Sequence, residues 1–349
     1  MVFAPSGLTV IEGGNGEGKS NLLEAVAWLA TLGSFRGAPN EALVRVGASS
    51  AVVRAEGERD GRRLLIEGEL NLRGRTRVLV NRQPLRRARD LLGALRVTVF
   101  SPDDLALVKG GPGERRRYLD ELLVACHPRW DALQADVERV LRQRATLLKQ
   151  AGGRLNPEAA LTLDVWDAKL AEAGEALADA RAGLVAELEG QVRAAYAHLA
   201  GLSETAVALT MVYAAPWRAA GGGPGLAAAL AEARTLDVRR GVSTVGPHRD
   251  EVLIGLRELP SRTHASQGEQ RCVALALRLG GHRIVREAAG EEPVLLLDDV
   301  FSELDPERSL ALLSALPGDQ ALLTTAGPLP PGARPAAHVR VRAGAVVEA

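Results

Sequence analysis

Residues 8–31 read L-T-V-I-E-G-G-N-G-E-G-K-S-N-L-L-E-A-V-A-W-L-A-T. The apolar, β-branched run at 8–11 predicts a buried strand, and the apolar spacing after residue 21 predicts an amphipathic helix over 21–32. Between them, residues 13–20 match the phosphate-loop pattern G-x-x-x-x-G-K-[ST]. A chance glycine-rich turn would need neither the strand nor the helix. The stretch therefore predicts an α/β fold with a phosphate site at a strand–helix turn.

The residue types in this loop each suit phosphate binding. Glycines let the backbone turn tightly and point its N–H groups at an anion, with the positive end of the next helix behind them. Lysine can reach the β and γ phosphates, and the serine hydroxyl can ligate Mg²⁺. We therefore predict that the nucleotide is bound by Gly13, Gly14, Asn15, Gly16, Glu17, Gly18, Lys19, Ser20 and Asn21, with Lys19 also catalytic and Ser20 also a metal ligand.

A second motif, V-L-L-L-D-D at 294–299, has the pattern of a buried parallel strand that ends in two carboxylates. Ligands of open α/β sheets bind at this carboxyl end of the strands. We expect Asp298 to hold Mg²⁺ directly or through water, and Asp299 to orient or deprotonate an attacking water as a catalytic residue. Strands often end in aspartate without any site, so this motif depends on its pairing with the phosphate loop.

The pattern of the chain changes between its ends and its middle. Short alternating runs between residues 51 and 80 predict antiparallel strands, and residues 114–199 predict two helices with a break near 151–157. The α/β pattern returns after residue 241. We therefore predict one domain built from residues 1–112 and 240–349, with a helical arm inserted at 113–239.

Charge and composition exclude several classes of protein. The formal net charge is zero, with 43 basic and 43 acidic residues, so any nucleic-acid contact must come from a local patch. No apolar run approaches the roughly 20 residues of a membrane span, and we expect a cytoplasmic protein with no membrane partner.

An arginine-rich segment at residues 73–87 is a candidate DNA-binding surface. An arginine-rich face that is only solvated explains the same pattern equally well. The candidate surface comprises Arg73, Arg75, Arg77, Arg86 and Arg87.

The sequence S-Q-G-E-Q at 266–270 first predicts an ordinary helix cap, with a serine followed three residues later by a glutamate. The order of the motifs, however, resembles the ATP-binding-cassette class. That resemblance implies that a signature segment acts in trans, on nucleotide held by a second copy in a head-to-tail dimer. The segment comprises Ser266, Gln267, Gly268 and Glu269. The resemblance also implies a D-loop with Ser302 and Asp305, and a γ-phosphate sensor at Thr324 or, alternatively, Thr325.

Further strings narrow the resemblance to the RecF family. They are G-N-G-E-G-K-S-N-L-L-E-A at 14–25, F-S-P-D-D-L at 100–105, G-P-G-E-R-R-R-Y-L-D at 111–120, G-P-H-R-D at 246–250 and L-D-D-V-F-S-E-L-D at 297–305. The family implies an ABC-type P-loop ATPase head, with a mixed sheet, an antiparallel β lobe and a short helical arm. It implies an ATP- and Mg²⁺-dependent dimer that binds duplex DNA and single-strand/double-strand junctions. It also implies partnership with RecR and RecO in loading RecA during repair, replication and the SOS response.

Two alternatives remain at this stage, a structural chromosome or break-repair ATPase of the SMC kind and the motor subunit of a transporter. The short helical insertion argues against the first, and the missing switch histidine argues against the second.

The sequence departs from the family pattern in two places. In the RecF family a first strand and an Asn-Phe-Arg stretch precede the loop, and we expect this strand and the adenine-contact segment to be missing here. Asp299 stands where transporters carry glutamate, which predicts slow hydrolysis suited to a switch.

Overall fold

The computed structural model describes residues 1–59, 61–218, 225–316 and 319–348. Two compact units contain these residues. Unit 1 takes the described residues of Met1–Asp104, His198–Gly201 and Val285–Ala349, and unit 2 takes those of Leu105–Ala197 and Leu202–Ile284. Unit 2 thus extends past the predicted boundary at 239 to residue 284. None of the described helices is long and apolar enough to cross a bilayer.

The described strands and helices have the following bounds. The strands are β1 (Leu8–Glu12), β2 (Ser50–Arg59), β3 (Arg62–Asn71), β4 (Arg77–Val80), β5 (Gln83–Pro84), β6 (Val97–Phe100), β7 (Leu209–Ala214), β8 (Glu251–Leu256), β9 (Leu259–Pro260), β10 (Val294–Asp298), β11 (Ala321–Thr325), β12 (Pro335–Arg342) and β13 (Ala345–Glu348). The helices are α1 (Lys19–Thr31), α2 (Ala106–Lys109), α3 (Pro112–Cys126), α4 (Trp130–Gln150), α5 (Pro157–Ala200), α6 (Leu226–Arg240), α7 (Ser261–His264), α8 (Gln267–Ala289) and α9 (Pro306–Ala315).

Unit 1 is built on a six-stranded mixed sheet with the order β13-β12-β1-β11-β10-β6. The pairs from β12 to β6 are parallel, and only β13 runs antiparallel to its neighbour. Leu295, Leu296 and Leu297 on β10 are fully buried, as expected for a central parallel strand covered on both faces. The carboxyl ends of β1, β10, β11 and β12 consequently meet at one edge of the sheet.

Helix α1 connects this sheet to a second one. Leu23 and Ala27, four residues apart on one helix face, pack with Ile11, Leu296 and Leu322 of the mixed sheet. Its Trp28 and Leu29 pack instead on the antiparallel sheet β2-β3-β4-β5. On β3 a Cβ at Gly68 would lie 2.3 Å from the Trp28 ring, so only glycine admits the indole there. The predicted antiparallel lobe is confirmed.

Residues 112–200 form three helices, α3, α4 and α5, where the sequence predicted two. The predicted break near 151–157 is present between α4 and α5, but a second break separates α3 from α4 at residues 127–129. His127 is extended, with φ −142° and ψ 103°, because the residue before a proline is pushed out of the helical region. Pro128 thus separates α3 from α4, and the prediction of two helices over residues 114–199 is wrong.

Buried ion pairs hold these helices together. Arg144 of α4 is fully buried and donates to Asp167 of α5 and Asp237 of α6, each at 2.7 Å. Arg181 of α5 forms two bonds of 2.7 Å to Asp120 of α3. Removing one member of such a pair leaves an uncompensated buried charge.

The G-P-H-R-D segment at 246–250 is a node of the same network. Arg181 donates to the carbonyl of Pro247 at 2.8 Å, and the carboxylate of Asp250 accepts from Tyr213 at 2.6 Å and from Trp217 at 2.8 Å. Burial raises the pKa of Asp250 in spite of these donors. The motif therefore contributes to the packing of unit 2 through its backbone and its final carboxylate.

Candidate nucleotide site

The phosphate loop joins β1 to the first turn of α1. Gly16 and Gly18 have φ of 80° and 96°, a left-handed backbone that glycine adopts without strain. The first N–H groups of α1 have no intrahelical acceptor and are available to an anion. Lys19 is only 8% exposed, and its Nζ donates to the carbonyls of Gly13 at 2.9 Å and Gly14 at 2.8 Å. The lysine is thus held at the mouth of the loop.

The turn between β12 and β13 braces this loop from outside. The carboxylate of Glu17 accepts the N–H of Ala343, and the carbonyl of Glu17 accepts the N–H of Gly344 at 2.9 Å. A Cβ at Gly13 would lie 2.5 Å from the carbonyl oxygen of Val341. The sequence predicts Glu17 as a nucleotide-binding residue, whereas in the structure its carboxylate and carbonyl contact this turn. No local pattern pointed to this contact, because the two segments lie more than 300 residues apart.

Ser20 and Asp298 meet although 278 residues separate them. The Ser20 hydroxyl donates to Oδ1 of Asp298 at 2.7 Å, at the junction of α1 and β10. A hydroxyl and a carboxylate side by side suit Mg²⁺, which commonly takes one or two protein oxygens and completes its shell with phosphates and water. Among the residues that the structure describes, no group of three or more His, Cys, Asp or Glu side chains is arranged so that it could hold a metal ion. The oxygens of Ser20 and Asp298 therefore fit a Mg²⁺ ion that binds together with a nucleotide.

Asp299 has an uncommon backbone conformation beside this pair. Its φ is 49°, and its N–H lies 3.1 Å from Oγ1 and 3.3 Å from the carbonyl of Thr324. The side chain is half-buried, and its carboxylate has no hydrogen-bond partner within the described part of the chain. The left-handed turn directs the chain out of the sheet and leaves an unengaged carboxylate at the site's edge. Such a group can accept a proton from water.

The D-loop residues follow on the next turn. The Ser302 hydroxyl donates to the carbonyl of Asp299 at 2.8 Å. Asp305 is the N-cap of α9 and accepts the N–H of Arg308 at 2.9 Å. Both side chains therefore hold the segment after β10 in place.

Thr324, the predicted γ-phosphate sensor, has its hydroxyl bonded within the protein. It is 0% exposed, and its hydroxyl donates to Oδ1 of Asp298 at 2.7 Å while accepting the N–H of Asp299. The hydroxyl thus donates to Asp298 and accepts from the backbone of Asp299, which argues that Thr324 positions the two aspartates. Thr325, the next residue, lines an adjacent cavity and is the better placed of the two threonines to meet a ligand.

The signature segment belongs to unit 2, at the start of α8. The N–H of Ser266 donates to Glu269 at 2.8 Å, and the N–H of Glu269 donates to the Ser266 hydroxyl at 3.3 Å, which forms a capping box. A hydrogen bond from Arg257 at 2.7 Å, together with the Ser266 N–H, lowers the pKa of Glu269 to about 2. Ser266 and Gln267 are exposed, and Gly268 is half-buried. The capped helix start is therefore accessible from solvent.

The five candidate DNA-binding arginines are all exposed and lie in unit 1. Arg77 is on β4, Arg73 and Arg75 precede that strand, and Arg86 follows β5. Arg87 donates to Asp90 at 3.0 Å and is already ion-paired. The surface is therefore basic, with one of its five charges partly neutralised.

Comparison with known proteins gives a consistent result. The family model described as RecF/RecN/SMC N terminal domain matches residues 2–322. A DNA replication and repair protein RecF from Streptomyces avermitilis is 48% identical over 330 residues, covering 92% of this chain and 87% of that protein. The corresponding protein from Kineococcus radiotolerans is 45% identical over 342 residues, with the same coverage.

Solved structures agree with the sequence relatives. A structure of the recombination mediator protein RecF with ATP, from the RecFOR pathway, matches with a TM-score of 0.89 and 29% identity, covering 99% of this chain and 92% of that one. An SMC head bound to the C-winged helix domain of ScpA matches with a TM-score of 0.54 and 13% identity, which reflects the fold alone. The chain belongs to the RecF family of DNA replication and repair proteins.

Proposed function

We propose that this chain is an ATP-dependent DNA-binding switch of recombinational repair. In this proposal it binds ATP with Mg²⁺, forms a head-to-tail dimer and binds duplex DNA beside single-strand gaps. With RecO and RecR it then helps to load RecA, in replication restart and SOS induction. The observation that carries the proposal is the 2.7 Å contact between Ser20 and Asp298, because it unites the phosphate loop with the end of β10.

In this proposal each residue of the site has a separate chemical role. Lys19 would exchange the carbonyls of Gly13 and Gly14 for phosphate oxygens, which are stronger acceptors because they are charged. Held by Ser20 and Asp298, Mg²⁺ would neutralise charge on the β- and γ-phosphate oxygens. Asp299 would hold the attacking water and accept its proton. Since this carboxylate is one methylene shorter than glutamate, we expect slow hydrolysis that times a switch.

The dimer would complete the site through the start of α8 from a second copy. An exposed serine hydroxyl and the free N–H groups of a helix start form an anion site, and the capping box already holds this turn in shape. The hydrogen bond from Arg257 keeps Glu269 ionised and in the box. The segment Ser266–Glu269 would therefore be preorganised to meet the γ-phosphate of the opposite copy.

The exposed arginines near β4 would contact the DNA backbone. Arg73, Arg75, Arg77 and Arg86 have no ion-pair partner among the described residues, so their charge is available to phosphates. Binding through such contacts falls steeply with salt and is largely independent of base sequence. This is the behaviour required of a protein that recognises a gap edge rather than a particular site.

One experiment tests the switch directly. Duplex binding and particle mass are measured side by side, with and without ATP, for the parent protein and two variants. Lys19→Met should lose ATP binding and every ATP-dependent change, whereas Ser266→Arg should still bind ATP but remain a monomer. Lys149→Met, an exposed lysine on α4, is the matched control and should behave as the parent. Equal particle mass with and without ATP in the parent would refute the ATP-driven dimer.

A further inference from the structure

The turn between β12 and β13 has two backbone N–H groups that the hairpin itself does not use. Arg342 pairs with Ala345 across the hairpin, so Ala343 and Gly344 are the two turn residues. Both have positive φ, 49° and 75°, as the tight turns favoured in hairpins require. In such a turn the flanking residues make the cross-strand hydrogen bonds. The N–H groups of the two turn residues are therefore available to another part of the chain.

Both of these N–H groups donate to Glu17 in the phosphate loop. The N–H of Ala343 donates to the Glu17 carboxylate, and the N–H of Gly344 donates to the Glu17 carbonyl at 2.9 Å. One residue thus accepts both donors of the turn, one through its side chain and one through its backbone. Because the first of these bonds needs a side-chain acceptor, the contact depends on which amino acid occupies position 17.

The backbone of the hairpin also lies close to both ends of the phosphate loop. At the first glycine, a Cβ on Gly13 would lie 2.5 Å from the carbonyl oxygen of Val341. At the last glycine, a Cβ on Gly18 would lie 3.3 Å from Cα of Gly344. The hairpin therefore follows the loop from its first glycine to its last, and Glu17 adds a side-chain bond between them.

A loop of this composition gains from such support. Four of the eight residues at 13–20 are glycines, and glycine loses more conformational freedom on ordering than any other residue. A ligand that must order its own binding loop binds more weakly than one that meets a loop already held in shape. The bonds from the hairpin to Glu17 reduce the number of conformations open to the loop. They should therefore raise its affinity for phosphate groups.

We infer that Glu17 is a positioning residue, which ties the phosphate loop to the β12–β13 hairpin and thereby raises nucleotide affinity without contacting the nucleotide. This inference rests on the proposed ATP binding, since it concerns the same loop. The sign of the effect separates this role from direct contact. A carboxylate facing the triphosphate would repel it, so its removal would strengthen binding. A carboxylate that acts through the hairpin has the opposite effect, because its removal loosens the loop.

The test measures the binding of ATP and of inorganic tripolyphosphate, each with Mg²⁺, by isothermal titration calorimetry. Glu17→Ala should bind both ligands about tenfold more weakly, because both of them use the loop. Glu17→Gln keeps an oxygen acceptor for the Ala343 N–H and should bind both within about threefold of the parent. Glu41→Ala removes another exposed carboxylate of unit 1 and is the matched control.

Two further measurements report on the hairpin itself. The amide hydrogen of Ala343 should exchange about tenfold faster in Glu17→Ala than in the parent, and at nearly the parent rate in Glu17→Gln. In a chain shortened by deletion of residues 343–349, Glu17→Ala should cause little further loss of affinity, since the two changes remove the same contact. Deletion of residues 346–349 keeps both turn N–H groups, and in that chain Glu17→Ala should keep its full effect.

The outcomes distinguish the possible roles of Glu17. Tighter binding by Glu17→Ala would indicate direct contact with phosphate and would overturn the inference. Unchanged affinity, or an equal loss in Glu17→Gln, would overturn it as well, and so would unchanged exchange at Ala343. Failure of the parent protein to bind either ligand would instead refute the proposed function.

Discussion

Replacing Thr324 with valine tests whether this residue positions the aspartates or senses the γ-phosphate. Valine matches threonine in shape and suits a buried strand, so the substitution removes the hydroxyl with little change in packing. The hydroxyl bonds to Oδ1 of Asp298 at 2.7 Å and receives the N–H of Asp299 at 3.1 Å. Both bonds are lost together.

The expected magnitude follows from these two contacts. A buried hydrogen bond to a charged group contributes about 1.5–3 kcal/mol, and a neutral one about 1 kcal/mol. In the valine variant the Asp298 carboxylate still accepts from the Ser20 hydroxyl, and the N–H of Asp299 still donates to the carbonyl of residue 324 at 3.3 Å. Neither aspartate therefore loses all of its hydrogen bonds. We expect Thr324→Val to lower the free energy of unfolding by about 2–3 kcal/mol. Thr324→Ser keeps the hydroxyl, loses one buried methyl and should cost about 1 kcal/mol.

Two measurements check this prediction. Urea unfolding gives the stability order, and Mg²⁺-dependent ATP binding reports the orientation of Asp298. A residue that supports a metal ligand typically changes metal affinity by about 10–100-fold, so the valine variant should bind ATP with Mg²⁺ at least tenfold more weakly. A sensor would instead reduce hydrolysis and leave that affinity unchanged. Valine and serine variants of equal stability would also refute the reasoning.

Three other predictions concern hydrolysis, DNA binding and the signature cap. Asp299→Asn should bind ATP, accumulate dimer and release phosphate about 100-fold more slowly or worse, whereas parent-like phosphate release would exclude this residue as the base. Arg86→Glu should reduce the slope of log affinity against log salt for duplex binding by about one, and Arg87→Glu should reduce it less because its guanidinium is already ion-paired. An unchanged slope would remove this surface from the DNA contact. Because the folded pKa of Glu269 is lowered to about 2 from an ordinary 4.5, its contribution to stability is present above pH 4.5 and lost as the pH falls toward 2. Arg257→Ala should move that pKa upward in a carboxyl NMR titration, and no movement would contradict the assigned cause.

The helix prediction for unit 2 marks one limit of sequence periodicity. Residues 114–150 have a helix-forming composition throughout, although α3 and α4 are separate helices. Only the effect of Pro128 on the residue before it separates them, and periodicity does not register that effect.

Local motifs nevertheless determined much of the site. The phosphate loop, the strand that ends in Asp298 and Asp299, and the capped turn at Ser266 each have a chemical requirement that is met by adjacent residues. Such requirements can be read along the chain, and the resemblance to the RecF family followed from the same strings.

The tertiary structure alone decided which distant groups meet. It brought Ser20 to Asp298, turned the Thr324 hydroxyl toward both aspartates, and joined Glu17 to the turn after β12. It also put Arg342 beside the loop. These contacts depend on strand order and register, which are set by packing between segments hundreds of residues apart. Short-range residue patterns carry no information about that packing, so the partners of the site residues became apparent only in the folded chain.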